Sequence, residues 1–380
     1  MIDLQENRKK IDVIDHKLVE LFEDRMQIAR EIADYKKSIG IGVYDKAREE
    51  EKLASLQTLT NDEFNQKAIV DLFSQIMSIS RRMQYTMMDN YEDFGFEAVQ
   101  NIPSSKETKV VFYGEKGAYT EQAMLEYFPN DITSFSLQTF QEVMQSIKEG
   151  KADYGVLPIE NTSTGTLSDI SDLLAEYDNY IIGEKVIKIE HALLGLKGST
   201  IENIQKVYSH PQGLLQCSGF LKQHPNMKQI ESGSTAGSAR RILEEQDITQ
   251  AAIASIRAGE YFGLTTLKEL IHNEGNNATR FIIISNRRIY LKEAERTSIC
   301  FALPHKSGSL YHMLSHFIYN NLNMTKIESR PIVGKTFEYR FFVDIQGGLD
   351  NPGVKNALNC INQEAIDLKI LGSYTPCMKS

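Results

Sequence analysis

From Leu4 to about Lys37 the apolar residues Leu4, Ile11, Ile14, Leu18, Leu21, Ile28 and Ile32 recur at steps of three and four, with no Gly or Pro between them. This period predicts one long amphipathic helix. Gly40 and Gly42 interrupt it, a second helix is expected to start near Asp45, and a third to run from about Asn65 to Met88. Residues 1–90 are therefore expected to be all-α. From about Tyr91 to Thr108 the chain contains FGFEAVQNIPSSKET, with Pro103, paired serines and no clear period, which reads as a linker. Beyond it the texture changes. VVFY at 110–113 reads as a strand, the Gly114–Gly117 turn leads into a helix near Glu121–Tyr127, and strand-like runs return at Gly155–Pro158, Tyr180–Val186, Lys206–Tyr208, Ala251–Ala254 and Arg280–Ser285. The alternation predicts an α/β domain with mainly parallel strands, over 109–287. The last segment, 297–376, reads as strand Thr297–Leu303, helix Ser309–Asn320, strands Asn323–Arg330 and Phe337–Ile345, helix Asn351–Glu364 and strand Leu368–Tyr374. That order, βαββαβ, is the ferredoxin-like arrangement. No period of 20–50 residues repeats, which excludes a solenoid.

Composition narrows the class. A chain of 380 residues with 41% hydrophobic and 24% charged positions is expected to be a folded, multidomain protein. Its net charge of −9 argues against nucleic acid as a partner, so an anionic ligand must meet cations gathered locally. The four cysteines, Cys217, Cys300, Cys360 and Cys377, show neither CxxC spacing nor a nearby histidine, so neither a zinc site nor a disulfide framework is expected. MIDLQENRKKIDVID has no apolar signal-peptide core and no run of about 18 apolar residues occurs, so a cytoplasmic location with no membrane partner is expected.

On a helix advancing 100° per residue, Arg25 and Lys36 point within about 20° of each other and lie about 16 Å apart along the axis. Two such cations on long stems can converge on one small dianion. Arg8 points about 100° away, toward a different side. Asp45, Arg48 and Glu49 share one face of the second helix, and Ser80 and Gln84 one face of the third. The same pattern also fits a solvated surface, where Lys and Arg on an amphipathic helix usually lie.

In order and near-spacing, Arg8, Arg25, Lys36, Asp45, Arg48, Glu49, Ser80 and Gln84 resemble the chorismate-binding residues of the all-helical chorismate mutases. The resemblance implies an intertwined homodimer in which Arg8 reaches into the other protomer's site. It also implies a pericyclic shift of chorismate to prephenate that needs no nucleophile, metal or cofactor. Arg8 of the partner subunit, Arg25 and Lys36 would then hold the two carboxylates. Lys36 and Gln84 would be the catalytic donors to the ether oxygen as the C–O bond breaks. Glu49 and the Asp45–Arg48 turn would meet the ring hydroxyl, and Ser80 a carboxylate.

Between 110 and 285 the runs YGEKGAYT (113–120), YGVLPIENTSTG (154–165), YSHPQGLLQC (208–217), STAGSAR (234–240) and NATRF (277–281) follow one another. Singly, GEKG is a Gly-rich turn, Ser234–Thr235 a helix cap, Thr279 a strand-end hydroxyl and Asn161 a turn residue. Together they place small polar donors at junctions between elements, where two-lobed folds take ligands, and they resemble the prephenate dehydratases. The resemblance implies two α/β lobes around a cleft, like the periplasmic binding proteins, and a cofactor-free loss of water and CO2 from prephenate that yields phenylpyruvate. It implies Thr279 as the hydrogen-bond donor to the departing hydroxyl, with Asn161, Gln216, Ser234, Thr235 and Arg280 holding the substrate. Glu160 and His210 are candidate proton sources. Glu115 stands where the family commonly has proline, a departure expected to alter loop stiffness only.

MTKIESRP (324–331) with Gly308, Ser309 and Leu310 resembles the ACT regulatory domain. The resemblance implies phenylalanine as an allosteric effector bound between two chains, with Glu328 facing its ammonium group, the Gly308–Leu310 helix start its carboxylate, and Ser329 as a further effector residue. Tyr311 departs from the family's small apolar residue there. The whole chain thus resembles the bifunctional chorismate mutase/prephenate dehydratases of phenylalanine biosynthesis, acting as a homodimer or higher homo-oligomer. Two other readings stay open: a non-catalytic sensor of aromatic metabolites, and a monofunctional dehydratase with a decayed mutase segment. Chorismate consumption separates them.

Overall fold

The computed structural model describes residues 3–87, 93–128, 131–305, 308–332 and 334–377. In chain order the elements are α1 (Leu4–Ile39), α2 (Lys46–Gln57), α3 (Glu63–Met87), β1 (Glu97–Val99), β2 (Lys109–Tyr113), α4 (Tyr119–Tyr127), β3 (Thr133–Leu137), α5 (Phe140–Lys148), β4 (Tyr154–Asn161), β5 (Gly165–Thr166), α6 (Ser168–Glu176) and β6 (Tyr180–Lys188). There follow β7 (Ala192–Gly195), β8 (Lys206–Ser209), α7 (Pro211–Gln216), α8 (Ser218–Gln223), β9 (Lys228–Glu231), α9 (Thr235–Glu245), β10 (Gln250–Ala254), α10 (Ile256–Phe262), β11 (Thr265–Lys268), β12 (Ala278–Ser285) and β13 (Ile289–Leu291). The chain ends with β14 (Arg296–Ala302), α11 (Ser309–Tyr319), β15 (Met324–Pro331), β16 (Tyr339–Gln346), α12 (Pro352–Glu364) and β17 (Asp367–Tyr374). The expected helix end at Met88 and linker start at Tyr91 lie outside the described residues.

The chain forms two compact units, one built from residues 1–94, 302–324 and 349–368 and the other from 95–301, 325–348 and 369–380. The first is helical. Asp3 starts α1 by accepting from the backbone N–H of Gln5 and Glu6, and Gly40 ends it in the left-handed conformation at φ 70°. The apolar stripe of α1 is largely uncovered: Leu4, Ile11, Ile14, Leu18, Leu21, Ile28 and Ile32 are 44–64% exposed, and only Ala29 and Ala33 are buried. Covering such a stripe would contribute about 1.5–3 kcal/mol for each Leu or Ile buried. On α3, Tyr85 packs with Val43 and Cys360, and its hydroxyl donates to Gln363 on α12 at 2.7 Å.

The second unit holds two main sheets, which form two lobes. One sheet of ten strands runs β15-β16-β14-β17-β6-β12-β4-β2-β3, with β5 paired to β4; the other has the order β11-β7-β10-β8-β9. The strands are mixed, not mainly parallel as the alternation suggested. β2 pairs parallel with β3 and β4, but β12 lies antiparallel between β4 and β6. The reason is the two-lobed path: β6 leads the chain out to the smaller sheet, and β12 receives it on return, so outgoing and incoming strands oppose. Ile189 and Asn277 meet at this crossing, the N–H of Ile189 donating to the carbonyl of Asn277 at 2.9 Å.

The segment read as a linker is partly ordered into β1, which pairs parallel with β13. Three residues of strand carry too short an alternation to show in sequence. At the C-terminal end the order β14-α11-β15-β16-α12-β17 agrees with the expected βαββαβ pattern. β17 joins the large sheet beside β6 at Gly372, opposite Ile181. A Cβ on Gly372 would fall 2.0 Å from the Ile181 carbonyl oxygen, so this joint requires glycine.

Candidate active sites

In the helical unit the structure gathers part of the expected set. Arg25 on α1 donates to the Ser80 hydroxyl on α3 at 2.6 Å, and Ser80 is buried. Lys36, one helical face along, donates to the Val43 carbonyl at 2.5 Å in the turn before α2. Burial holds the pKa of both cations below their ordinary values, and Glu49 opposes that shift at each, with Asp45 also opposing it at Lys36. Gln84 is 8% exposed and its Oε1 has no hydrogen-bond partner. A buried amide end left open costs about 1–3 kcal/mol unless a ligand meets it. A half-turn about its last bond would present the NH2 group at the same place.

Three residues of the set do other things. The Asp45 carboxylate caps α2 by accepting from the Arg48 N–H at 3.0 Å. The Arg48 guanidinium pairs with Glu51 at 2.7 Å in solvent. Arg8 is exposed on α1.

In the α/β unit a cleft of about 980 Å³ lies between the two lobes. The large-sheet lobe contributes Asn161, from the end of β4, and Thr279, from β12, which are opposite each other in register. The Asn161 amide donates to the Thr279 hydroxyl oxygen and to Asn277 Oδ1, both at 2.9 Å. Because Asn161 fills an acceptor position on Thr279, the Thr279 proton is left to donate outward, and a polarised hydroxyl donates better. Asn277, 2% exposed, also accepts from the Ser163 hydroxyl at 3.2 Å and so fixes which way the Asn161 amide faces.

The smaller lobe contributes Gln216 at the end of α7 and the start of α9. Ser234 caps α9, its hydroxyl accepting from the Gly237 N–H at 2.9 Å, and Ser234–Gly237 line the cleft. The capping reading of Ser234 therefore holds, and it also aims a helix N-terminus of the kind that receives carboxylates into the cleft.

Arg280 does not line the cleft. Neighbours on a strand face opposite sides, so Thr279 and Arg280 cannot share it. Arg280 pairs instead with Glu160 at 3.2 Å, Glu184 at 3.4 Å and Asp344 on β16 at 3.2 Å. Burial works against its charge, yet Tyr374, Asp344, Glu184 and Glu160 together raise its pKa above the ordinary value. Glu160, held by this pairing, is likewise absent from the cleft lining. His210 does line it, with Nδ1 accepting from the Gln212 N–H at 3.2 Å.

His191 was not singled out from the sequence. It is 3% exposed, lines the cleft, and shares Nε2 with Gln216 Oε1 at 2.9 Å. Burial lowers its pKa and so favours the neutral ring, while the carbonyl oxygen of Gln216 can only accept from that nitrogen. The run around it, IEHALLG, belongs to a crossing between lobes with no period to flag it. Glu115 does more than stiffen its loop. It pairs with Arg240 of α9 in the opposite lobe, with Nε–Oε2 at 3.1 Å and Nη2–Oε1 at 3.3 Å. Among the described residues, no three His, Cys, Asp or Glu gather to hold a metal ion, and no helix is long and apolar enough to cross a membrane.

Of the expected effector residues, Gly308 has φ 83° before α11, and Ser309 and Leu310 open that helix in the first unit. Glu328 and Ser329 lie on β15 in the second unit, where Glu328 accepts from Ser168 at 3.3 Å. Two residues on, Arg330 forks onto Asp172, also on α6, at 2.7 and 3.3 Å.

Residues 7–85 match the family model for chorismate mutase type II, and residues 110–289 that for prephenate dehydratase. The chain is 33% identical over 379 residues to a bifunctional chorismate mutase/prephenate dehydratase of Aquifex aeolicus, covering 98% of each. Among solved structures it resembles a prephenate dehydratase of Arthrobacter aurescens in complex with L-Phe at 28% identity. That match has a TM-score of 0.66 and covers 72% of this chain and 93% of the other. It also resembles GqqA, described as a novel type of quorum quenching acylase, at 29% identity and TM-score 0.66, covering 71% of this chain and 98% of that one.

Proposed function

Because the chain belongs to the family of bifunctional chorismate mutase/prephenate dehydratases, we propose that its two residue clusters divide the two reactions between them. In the helical unit Arg25, Lys36 and Ser80 bind the carboxylates of chorismate, with Arg8 supplied by a second copy of the chain. Glu49, with the Asp45–Arg48 turn, meets the ring hydroxyl. Lys36 and Gln84 donate to the ether oxygen, where negative charge grows as the C–O bond breaks and the C–C bond forms. Six electrons move in a ring and no proton is exchanged, so positioning and electrostatics supply the whole effect.

In the cleft, prephenate binds with its carboxylates toward the start of α9, held by Gln216, Ser234 and Thr235. The bond to the ring carboxylate breaks, its electron pair enters the ring, CO2 leaves, and the ring hydroxyl departs with one proton as water. Thr279, oriented by Asn161, donates to that hydroxyl. The hydrogen bond from Asn161 to Thr279 carries this reading, because it turns an ordinary strand hydroxyl into an outward donor. His191 orients Gln216. Arg280 belongs to the joint between β12 and β16 and not to substrate binding.

The C-terminal βαββαβ segment is proposed as a ferredoxin-like ACT domain that binds phenylalanine between two chains, with Gly308–Leu310, Glu328 and Ser329 as its effector residues, and lowers dehydratase activity. The segments divide as 1–90 mutase, 91–108 linker, 109–287 dehydratase and 297–376 sensor. The uncovered stripe of α1 is the surface of a homodimer, and the four free cysteines suit the cytoplasm. Incubation with chorismate, with prephenate and phenylpyruvate followed by chromatography, tests the assignment. Both products appear in sequence if it holds; persistence of chorismate would remove the mutase half, and accumulation of prephenate the dehydratase half.

A further inference from the structure

Arg81 on α3 belongs to neither set of residues read from the sequence, yet it is the most elaborately held cation of the helical unit. Its side chain is 10% exposed. It pairs with Glu49 on α2 and, at 3.1 Å, with Glu364 on α12, and its guanidinium lies 4.9 Å from the Tyr44 ring centre. The other oxygen of Glu364 meets His316 Nε2 on α11 at 3.0 Å, and His316 is 3% exposed. These side chains surround a small cavity of about 190 Å³. Two helices, α2 and α12, thus pair with one guanidinium carried on α3, and a third, α11, holds the α12 carboxylate.

The consequence lies at Glu49. It is the anion that acts on both Arg25 and Lys36, the cations assigned to the chorismate carboxylates. A carboxylate so placed, if unrestrained, would pair with them and compete with the substrate for the same charges. Arg81 offers Glu49 a direct, charge-assisted partner in a largely buried site. Arg81 is itself kept in place by Glu364, so it does not follow Glu49 toward the substrate.

We propose that Arg81 is a positioning residue of the mutase reaction, holding the Glu49 carboxylate off Arg25 and Lys36, and that Glu364 with His316 on the C-terminal helices fixes Arg81 for that task. The proposal rests on the assignment of Glu49 to the chorismate site. It makes the mutase site depend on Glu364, 283 positions from Arg81 in the chain.

The test uses the full-length enzyme, with mutase kcat and KM measured beside dehydratase activity on each preparation as a control for folding. Arg81→Ala should raise KM for chorismate by about tenfold or more while kcat falls less, because the freed Glu49 acts as an internal competitor. Arg81→Lys keeps a charge on Glu49 and should recover most of that loss. Glu364→Gln should raise KM in the same direction by a smaller factor. In a Glu49→Gln background, where no competing charge exists, Arg81→Ala should add nothing further. An unchanged KM in Arg81→Ala overturns the proposal, as does an equal rise with or without the Glu49 charge, which would mark a structural role. If Arg81→Ala does not fold, wild-type KM in both Arg81→Lys and Glu364→Gln overturns it equally. Wild-type kinetics in Glu49→Gln alone would instead remove Glu49 from the chorismate site, and the proposal with it.

Discussion

In the helical unit α1 and α3 join Arg25 to Ser80, with Lys36 further along α1 and the open amide of Gln84 further along α3, while Arg8 is exposed and the α1 stripe is bare. In the α/β unit both walls of the cleft come from one chain, and the groups that meet there are mostly neutral donors already hydrogen-bonded to each other. On the proposed assignment, the two reactions account for the contrast. A pericyclic shift of a dianion needs charges fixed around a folded conformer, and longer reach is available from a second chain. Loss of water and CO2 needs oriented donors in an enclosed space, which two lobes of one chain provide. On that assignment, one site is finished by assembly and the other by folding.

The contrast breaks most readily at its two central side chains. Arg25→Ala should lower chorismate turnover by about 10²–10³ and leave prephenate dehydration near wild type, and Thr279→Ala should do the reverse. Parallel assays of both activities on each folded variant check this. If either change abolished both, the clusters would not be separate sites.

Gln84→Glu sharpens the electrostatic half. An amide donates at any ordinary pH, whereas a glutamate donates only when protonated, near pH 4.3 if unperturbed. In the proposed site Arg25 and Lys36 would favour the charged form and keep the proton off. Mutase activity at pH 7.5 should fall by about 10² and recover in part toward pH 5, with the dehydratase unchanged at both. A flat pH profile at wild-type rate would show that Gln84 does not touch the breaking bond.

What the sequence allowed differs between the regions in the same way. On helices a 3.6-residue period gives both the element and the face, so α1 was bounded to within two residues and Arg25 and Lys36 could be paired from their phase. The period gave no hint that the stripe it traces is bare in a single chain, because a core face and an assembly face look alike. The cleft residues lie at strand ends and helix starts, where no period operates, and only family motifs pointed to them. Arg280 was misplaced although strand alternation already separated it from Thr279. Strand direction was legible only where helices alternate with strands, as at β2, β3 and β4, and not at β12, whose antiparallel neighbours follow from the return from the smaller lobe. Arg81 was invisible because Glu364 and His316 lie hundreds of positions away.

A smaller effect separates the sites by pH. Burial pushes the pKa of Lys36 below that of an ordinary lysine, with Asp45 and Glu49 only partly opposing it. Its task as donor and counter-charge requires the protonated form, which is fully present below that pKa and lost as pH rises through it. Mutase kcat/KM should therefore decline on the basic side before pH 10.4, the value of an unperturbed lysine. The dehydratase cleft, whose proposed donors are a threonine hydroxyl and amides, should lack that decline. Lys36→Arg should remove it, since a guanidinium stays protonated throughout, at the expense of a few-fold lower rate at neutral pH from its wider, planar head. Measuring both activities of both proteins from pH 7 to 10.5 decides the matter. A basic limb that persists in Lys36→Arg would assign the titration to another group.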